Sequence, residues 1–425
     1  MTTELDRIAE KARSNRKLRF TSLTHLLTPA FLIETWAKMN KHGASGVDKE
    51  TTREFEQNLG QRCKDIVARL RTRRYRPPPA RRVDIPKEGG KTRPLGIPTV
   101  EDRLVQRAVA RLLEAIYETD FLDSSYGFRP GRSPHQALAA LRNQLMAGGV
   151  STIFETDIRG FFDAINHEWL MKMVRHRIAD TDILRLIGRW LKAGVMIDGV
   201  VVRTDVGSPQ GGPISPLLAN IYLHYALDLW VERIVADKCE GRVYLTRFAD
   251  DFVVGFQYPG EAIRFSHVVE RRLRKFHLEL APEKTNLLTF GRAPAMKGHK
   301  LGKFDFLGFT HVGGRDKKGR FKVVRLPRQK SIRKFLDAVK QRLWKLLHQR
   351  PDLQQKVLNR MLGGFYRYFG LHGCLKRLIK LRHEVYRRWR WIQTRRSQRD
   401  RSSWDSLKLK PWFHLELPKV VHPTV

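Results

Sequence analysis

The chain has 425 residues, 41% hydrophobic and 10% aromatic, enough for two or three domains with sizeable cores and unlike a disordered polymer. Charge is the outlier: 81 Lys and Arg against 43 Asp and Glu leave +38 at pH 7, a self-repulsion that a polyanionic partner relieves, nucleic acid first. The three cysteines, Cys63, Cys239 and Cys374, form no CxxC or Cys/His pair, which argues against a zinc module and against disulfides.

Residues 1–75 read as helical and basic, broken at KHGASGVDKE (41–50). PPPA (77–80) stops any helix, after which RRVDIP and KTRPLGIP flank a Gly-Gly turn as a hairpin. Over 101–118, Leu104, Ala108, Leu112 and Ile116 share one face of an amphipathic helix. The loop YGFRPGRS (126–133) precedes a helix from Pro134 to Met146, and TIFETDIRGFFDAI reads as a strand running into a bend. A helical stretch to about 192 leads into the Gly-rich GSPQGGPISP and a helix through LLANIYLHYALDLWVERIV. YLTRFADDFVVGF (244–256) is strand, turn, strand; a helix at about 261–278, LELAPEKTNLLTF and one short strand FDFLGF (304–309) follow. From about 329 the pattern is all-helical, with Ile332, Phe335, Leu336, Val339 and Leu343 on one helix and others near 353–370 and 374–397. No apolar run approaches a membrane span and MTTELDRIAEKARSNRK holds no signal-peptide core, so a soluble, cytoplasmic protein acting at the nucleoid is expected.

Asp250 and Asp251 interrupt strand-forming residues, and a buried carboxylate pair is costly without compensation. One reading is an Asp-capped turn. The other adds Asp157, which ends the strand-like IFETD: three carboxylates at one sheet edge, able to hold two Mg²⁺ ions about 4 Å apart.

In order, KEGGKTRPLGIPTVEDRLVQ, SSYGFRPGRSPHQAL, FETDIRGFFDAINHEWL, GSPQGGPISPLLANIYLHYALD, RFADDFVV, LAPEKT and FLGF resemble the reverse-transcriptase blocks of group II intron-encoded proteins, over about residues 20–310. MLGGFYRYFG (361–370) is similar to that family's maturase, or thumb, signature. The resemblance implies an α+β right-hand polymerase. Its N-terminal extension and fingers, with part of the palm, would occupy 1–145 and the palm, with an antiparallel sheet, 146–315. A helical thumb or maturase domain would occupy 325–397, and 398–425 a basic tail, a candidate DNA-binding remnant.

The implied activity is RNA-directed DNA synthesis: two Mg²⁺ ions (Mn²⁺ in vitro), dNTPs, an RNA template and a DNA primer or target. The implied second role is maturase action on a group II intron RNA. A splicing-only maturase, or a domesticated relative in DNA repair or phage defence, stays open. The family's longer members continue into a Cys-containing HNH endonuclease, which is not expected here. Carried onto this sequence, Asp157 and Asp250 are the principal metal ligands and Asp251 completes the triad. Lys87 and Arg93 match triphosphate-binding residues, suited to phosphate as point charge and fork. Phe162 matches the ring beneath the incoming sugar, Gln210 the residue beside the nucleotide, and Lys284 the lysine near it. Phe248 stands where the family usually has Tyr.

Residues 376–400 hold ten Lys or Arg and two acids, with Tyr386, Trp389 and Trp391 interleaved. That mixture suits RNA, phosphates on cations and unstacked bases on rings, with Arg387, Arg388, Trp389 and Arg390 as candidate contacts.

Overall fold

Side-chain caps decide where the N-terminal helices begin. Thr3 and Thr51 form reciprocal capping boxes with Asp6 and Glu54, and Thr28 accepts from Phe31 N–H. They start α1 (Glu4–Ser14), α3 (Thr52–Gln57) and α2 (Pro29–Ala37), and α4 (Leu59–Arg71) follows. The computed structural model describes residues 3–86, 92–147, 149–197, 200–202, 211–396 and 403–422.

β1 (Ala80–Pro86) and β2 (Thr92–Ile97) form the expected hairpin, with Arg81 opposite Ile97 and Pro86 opposite Thr92. α5 (Val100–Tyr117) and α6 (Pro134–Met146) fall where the apolar period puts them; Ser133 and Gln136 close a capping box on α6. β3 (Thr152–Asp157) runs into α7 (Phe161–Ala164), α8 (His167–Val174) and α9 (Thr181–Lys192). After α9, β4 (Val195–Ile197) and β5 (Val200–Val202), not foreseen, add to the first hairpin, β4 pairing parallel with β1. Three-residue strands are too short to leave a period-2 signature.

α10 (Ser215–Leu223) continues through π-turns at His224–Asp228 and Val231–Val235 to α11 (Ala236–Lys238). β6 (Val243–Phe248), β7 (Asp251–Phe256), α12 (Pro259–Arg274), β8 (Asn286–Thr289) and α13 (Arg292–Met296) follow. The central sheet is antiparallel in the order β6-β7-β3-β8. Its side chains alternate between two cores, as strand geometry requires. Phe154, Phe252, Val254 and Phe256 join the core built with the N-terminal helices and α5. Ile153 and Val253 join a second core under the C-terminal helices.

The single strand expected at FDFLGF is two. β9 (Lys303–Phe306) and β10 (Phe309–Arg315) meet at a two-residue turn, Leu307 and Gly308, with φ of 48° and 76°. Positive φ at both turn residues matches the twist of a tight hairpin. β11 (Phe321–Pro327), not foreseen, pairs with β10. α14 (Gln329–Lys345), α15 (Pro351–Phe369), α16 (Leu375–Thr394) and α17 (Trp404–Lys408) bury Leu336, Val339, Leu358, Leu362, Leu378 and Val385 in the second core. Within the tail, 403–422 folds back on these helices: Leu415 N–H donates to Tyr386 Oη at 2.6 Å and Val421 N–H to Gly370 O at 2.8 Å. Among the described residues, no helix is long and apolar enough to cross a membrane.

Candidate active site

Phe248 pairs with Asp251 in register, so the β6–β7 turn is only Ala249 and Asp250. Asp251 is therefore the first residue of β7, not a turn residue, and lies opposite Asp157 at the end of β3. Ile158 N–H donates to Asp250 O at 3.3 Å, tying the turn to the segment after β3. Ala249 has φ 57°, a left-handed conformation that costs an L-residue about 1–2 kcal/mol.

What holds the turn is a charge that sequence reasoning passed over. Arg247 and Asp228 are a buried ion pair, both 0% exposed, closed by Nε to Oδ1 at 2.7 Å and Nη2 to Oδ2 at 2.6 Å. Arg247 Nη1 donates to Ala249 O at 2.9 Å and to Asn220 Oδ1 at 3.1 Å, and Nη2 donates to Ser125 Oγ at 2.7 Å. Asn220 Nδ2 then donates to Gly127 O at 2.7 Å. Gly127 packs so closely that a Cβ there would meet Ala249 N at 2.4 Å. The π-turn at His224–Asp228 carries the acid, an irregularity common at functional sites. The available signal was an arginine inside an apolar strand run, which needs a buried partner.

A cleft of about 1180 Å³ opens beside this hairpin. Asp157, Asp250, Phe162 and Lys284 line it from the sheet side, Thr92 and Pro94 from β2, and Arg328, Lys330 and Lys334 from the start of α14. Asp251 is not among the lining residues. Lys284 Nζ donates to Asp157 Oδ2, while Asp157 Oδ1 is buried without a hydrogen-bond partner. Burial, then the neighbouring Asp157 charge, pushes the Asp250 carboxyl up to about 6. Burial and the charges of Asp157 and Asp250 push Asp251 well above the usual carboxylate range. Burial opposes the charged form of Lys284, but its hydrogen bond to Asp157 and the three carboxylates raise it above the ordinary lysine value.

Three clustered carboxylates with one orphaned oxygen are short of positive charge, and an all-oxygen donor set suits Mg²⁺. Among the described residues, no three or more His, Cys, Asp or Glu side chains form a ready metal cage. Mg²⁺ takes one or two protein carboxylates and completes its shell with water and phosphate oxygens.

The other expected residues divide. Phe162 is 9% exposed, edge-on to Phe161 at 5.5 Å between centroids, and lines the cleft. Arg93 sits in β2 opposite Ile85. Lys87, Gln210 and the Arg93 side chain lie outside the described residues. Gly211 has φ 119°, and a Cβ there would meet Gly96 O of β2 at 2.4 Å, so the chain at Gly211 packs against that hairpin. Phe248 packs against the second core.

At the C-terminal end one expectation is corrected. Trp389 is 0% exposed, its indole N–H donates to Gln354 Oε1 at 2.8 Å, and it stacks on Phe413 at 4.7 Å, so no base reaches its ring. Arg387 and Arg388 both pair with Glu384, at 3.0 and 2.8 Å, and the Arg390 guanidinium lies 5.1 Å over Trp404.

An antiparallel sheet that carries clustered carboxylates into a cleft walled by cations defines a nucleic-acid polymerase of the palm type. The family described as reverse transcriptase (RNA-dependent DNA polymerase) matches residues 85–311. Protein YkfC of Escherichia coli strain K12 is 34% identical over 380 residues, covering 80% of this chain and 96% of that protein. The group II intron-encoded protein LtrA of Lactococcus lactis subsp. cremoris is 40% identical over 225 residues, covering 52% of this chain and 37% of that protein. The mitochondrial nuclear intron maturase 1 of Arabidopsis thaliana is 30% identical over 95 residues, covering 22% of this chain and 13% of that protein. The chain belongs to the reverse transcriptase family, RNA-directed DNA polymerases.

Proposed function

We propose that the cleft carries out template-primed addition of dNTPs to a primer 3′-OH, with Asp157 and Asp250 as the principal metal ligands and Asp251 as a supporting charge. The observation that carries this is the unpartnered Asp157 Oδ1 beside Asp250 in a cleft with cations on its opposite wall. When bound, two Mg²⁺ ions supply charge for the α-phosphate and acidify the attacking hydroxyl. Lys284 fixes the Asp157 carboxylate through Oδ2. Phe162, backed by Phe161, fills the space under the sugar and excludes a 2′-OH. Arg328, Lys330 and Lys334 face the template-primer phosphates across the cleft. Lys87, Arg93 and Gln210, as the resemblance implies, act on the triphosphate and base. In this reading 1–145 is extension and fingers with part of the palm, 146–315 palm, 325–397 thumb, and 398–425 a tail that packs on the thumb over 403–422.

Maturase action on a group II intron RNA is the second activity, supported by the charge of +38 and the intron-encoded relatives. The intact carboxylates favour a working polymerase over a splicing-only protein. Primer extension on poly(rA)/oligo(dT) tests it: incorporation with Mg²⁺ that Asp157→Asn and Asp250→Asn abolish is expected. A wild-type chain that incorporates nothing with Mg²⁺ or Mn²⁺ sinks the reading.

A further inference from the structure

The basic helix α16 does present an aromatic ring to solvent, but not the one its charge run suggests. Trp391 is 39% exposed and meets Trp344 of α14, 43% exposed, edge to face at 5.3 Å between centroids. The Arg395 guanidinium lies 4.9 Å over Trp391. Arg387 and Trp391 on α16 and Arg395 at its C-cap, in helical backbone, recur every four residues and so share one stripe; on α14, Lys340 and Trp344 do the same. The two stripes meet at the tryptophans. Among the described residues Lys340, Arg342, Lys345 and Arg395 are in no ion pair, whereas Arg387 is held by Glu384. Two indoles this open meet on a surface otherwise rich in charge.

We infer that the Trp344–Trp391 corner is a binding site for an unstacked base of single-stranded RNA, with the flanking cations taking its phosphates. Aromatic rings accept any base by stacking, and cations beside them supply the backbone contacts, so ring and charge together fit a single strand better than a duplex. A protein surface would need acids to meet these cations. The corner is ten residues, about 15 Å, along α14 from Lys334 at the cleft wall. It therefore extends the nucleic-acid path outside the cleft instead of belonging to it. The inference rests on the reading of the protein as an RNA-handling polymerase.

Anisotropy titrations of the full chain with a labelled unstructured RNA oligomer and with an abasic strand of the same length test it. The wild type is expected to prefer the base-bearing strand. Trp344→Ala and Trp391→Ala should each weaken that binding between about 5- and 150-fold and abolish the preference. Trp→Phe at either position should restore most of it, which a folding defect would not do. Arg395→Gln should lower the salt slope of log K by about 0.7, while the Trp→Ala variants leave that slope unchanged. Equal binding of both strands by the wild type, or Trp→Ala variants that keep the preference, overturns the inference. So does a change in solution mass in Trp344→Ala with RNA affinity unaltered, which marks a protein contact. Binding is scored without synthesis, so a chain that binds this way yet fails primer extension sinks only the polymerase reading.

Discussion

Replacing Arg247 by methionine tests whether the buried pair holds the catalytic turn. All five guanidinium N–H donors are engaged, two on Asp228 and one each on Ser125 Oγ, Asn220 Oδ1 and Ala249 O. Both charged side chains are 0% exposed, so Arg247→Met strands Asp228 where water cannot solvate it, a loss of about 3–5 kcal/mol. Adding Asp228→Leu removes the stranded charge and makes the contact apolar, which recovers most of that stability. Activity should not recover. The left-handed Ala249 costs about 1–2 kcal/mol, and the charge-assisted bond to its carbonyl, worth about 1.5–3 kcal/mol, offsets it. Without that bond the turn relaxes and Asp250 drifts from Asp157. Urea unfolding should show stability lost in the single variant and regained in the double. Primer extension should show kcat reduced in both, with KM for dNTP little changed. A double variant with wild-type kcat would reduce Arg247 to a neutralising charge and refute the positioning argument.

Gly127→Ala forces a Cβ to 2.4 Å from Ala249 N, so it should cut kcat with the second core intact, read as an unchanged melting transition of the C-terminal helices. Phe162→Ala should relax discrimination against ribonucleotides in single-nucleotide incorporation; an unchanged dNTP preference counts against the gate. Trp389→Ala should cost about 3–5 kcal/mol by urea unfolding, far more than Arg387→Gln at an exposed site, and equal losses would return Trp389 to the surface. Burial, opposed in part by Asp228, holds His224 down at about 4, below its ordinary 6.5. Its neutral form is the stable one, so that contribution is complete above pH 6.5 and is lost as pH falls through about 4, a difference of about 3 kcal/mol. His224→Gln should flatten the wild-type decline over that window; parallel curves would exclude it.

What the sequence made legible tracks the range of its signals. α5 was readable because a long apolar period runs the length of the helix behind its Thr99 cap, and α6 because Pro134 follows a Ser133–Gln136 capping box. The β3 and β7 acids were readable as strand ends, yet only their pairing register opposes Asp157 to Asp251. Trp389 misled because composition was weighed without phase. Leu378, Leu381, Val385, Trp389 and Ile392 are one buried stripe, and Trp391 points away from it. The pairing of Asp228 with Arg247 was out of reach for a different reason: nothing local links an acid in a π-turn to an arginine nineteen positions on. Trp344 and Trp391 meet only because α14 packs on α16, a contact no single helix encodes.

The alternation along β3 and β7 bears on any effort to raise this enzyme's working temperature. Ile153 and Val253 face one core while Phe154 and Phe252 face the other, and the same two strands end at Asp157 and begin at Asp251. Extra volume on either side of such a shared wall presses through the backbone onto the carboxylates, because packed interiors transmit strain instead of absorbing it. Thermostabilising changes are therefore safest at exposed positions of the N-terminal helices, where propensity and charge pairing can be improved without touching the wall. Substitutions in the wall itself should be screened by rate before they are screened by melting temperature.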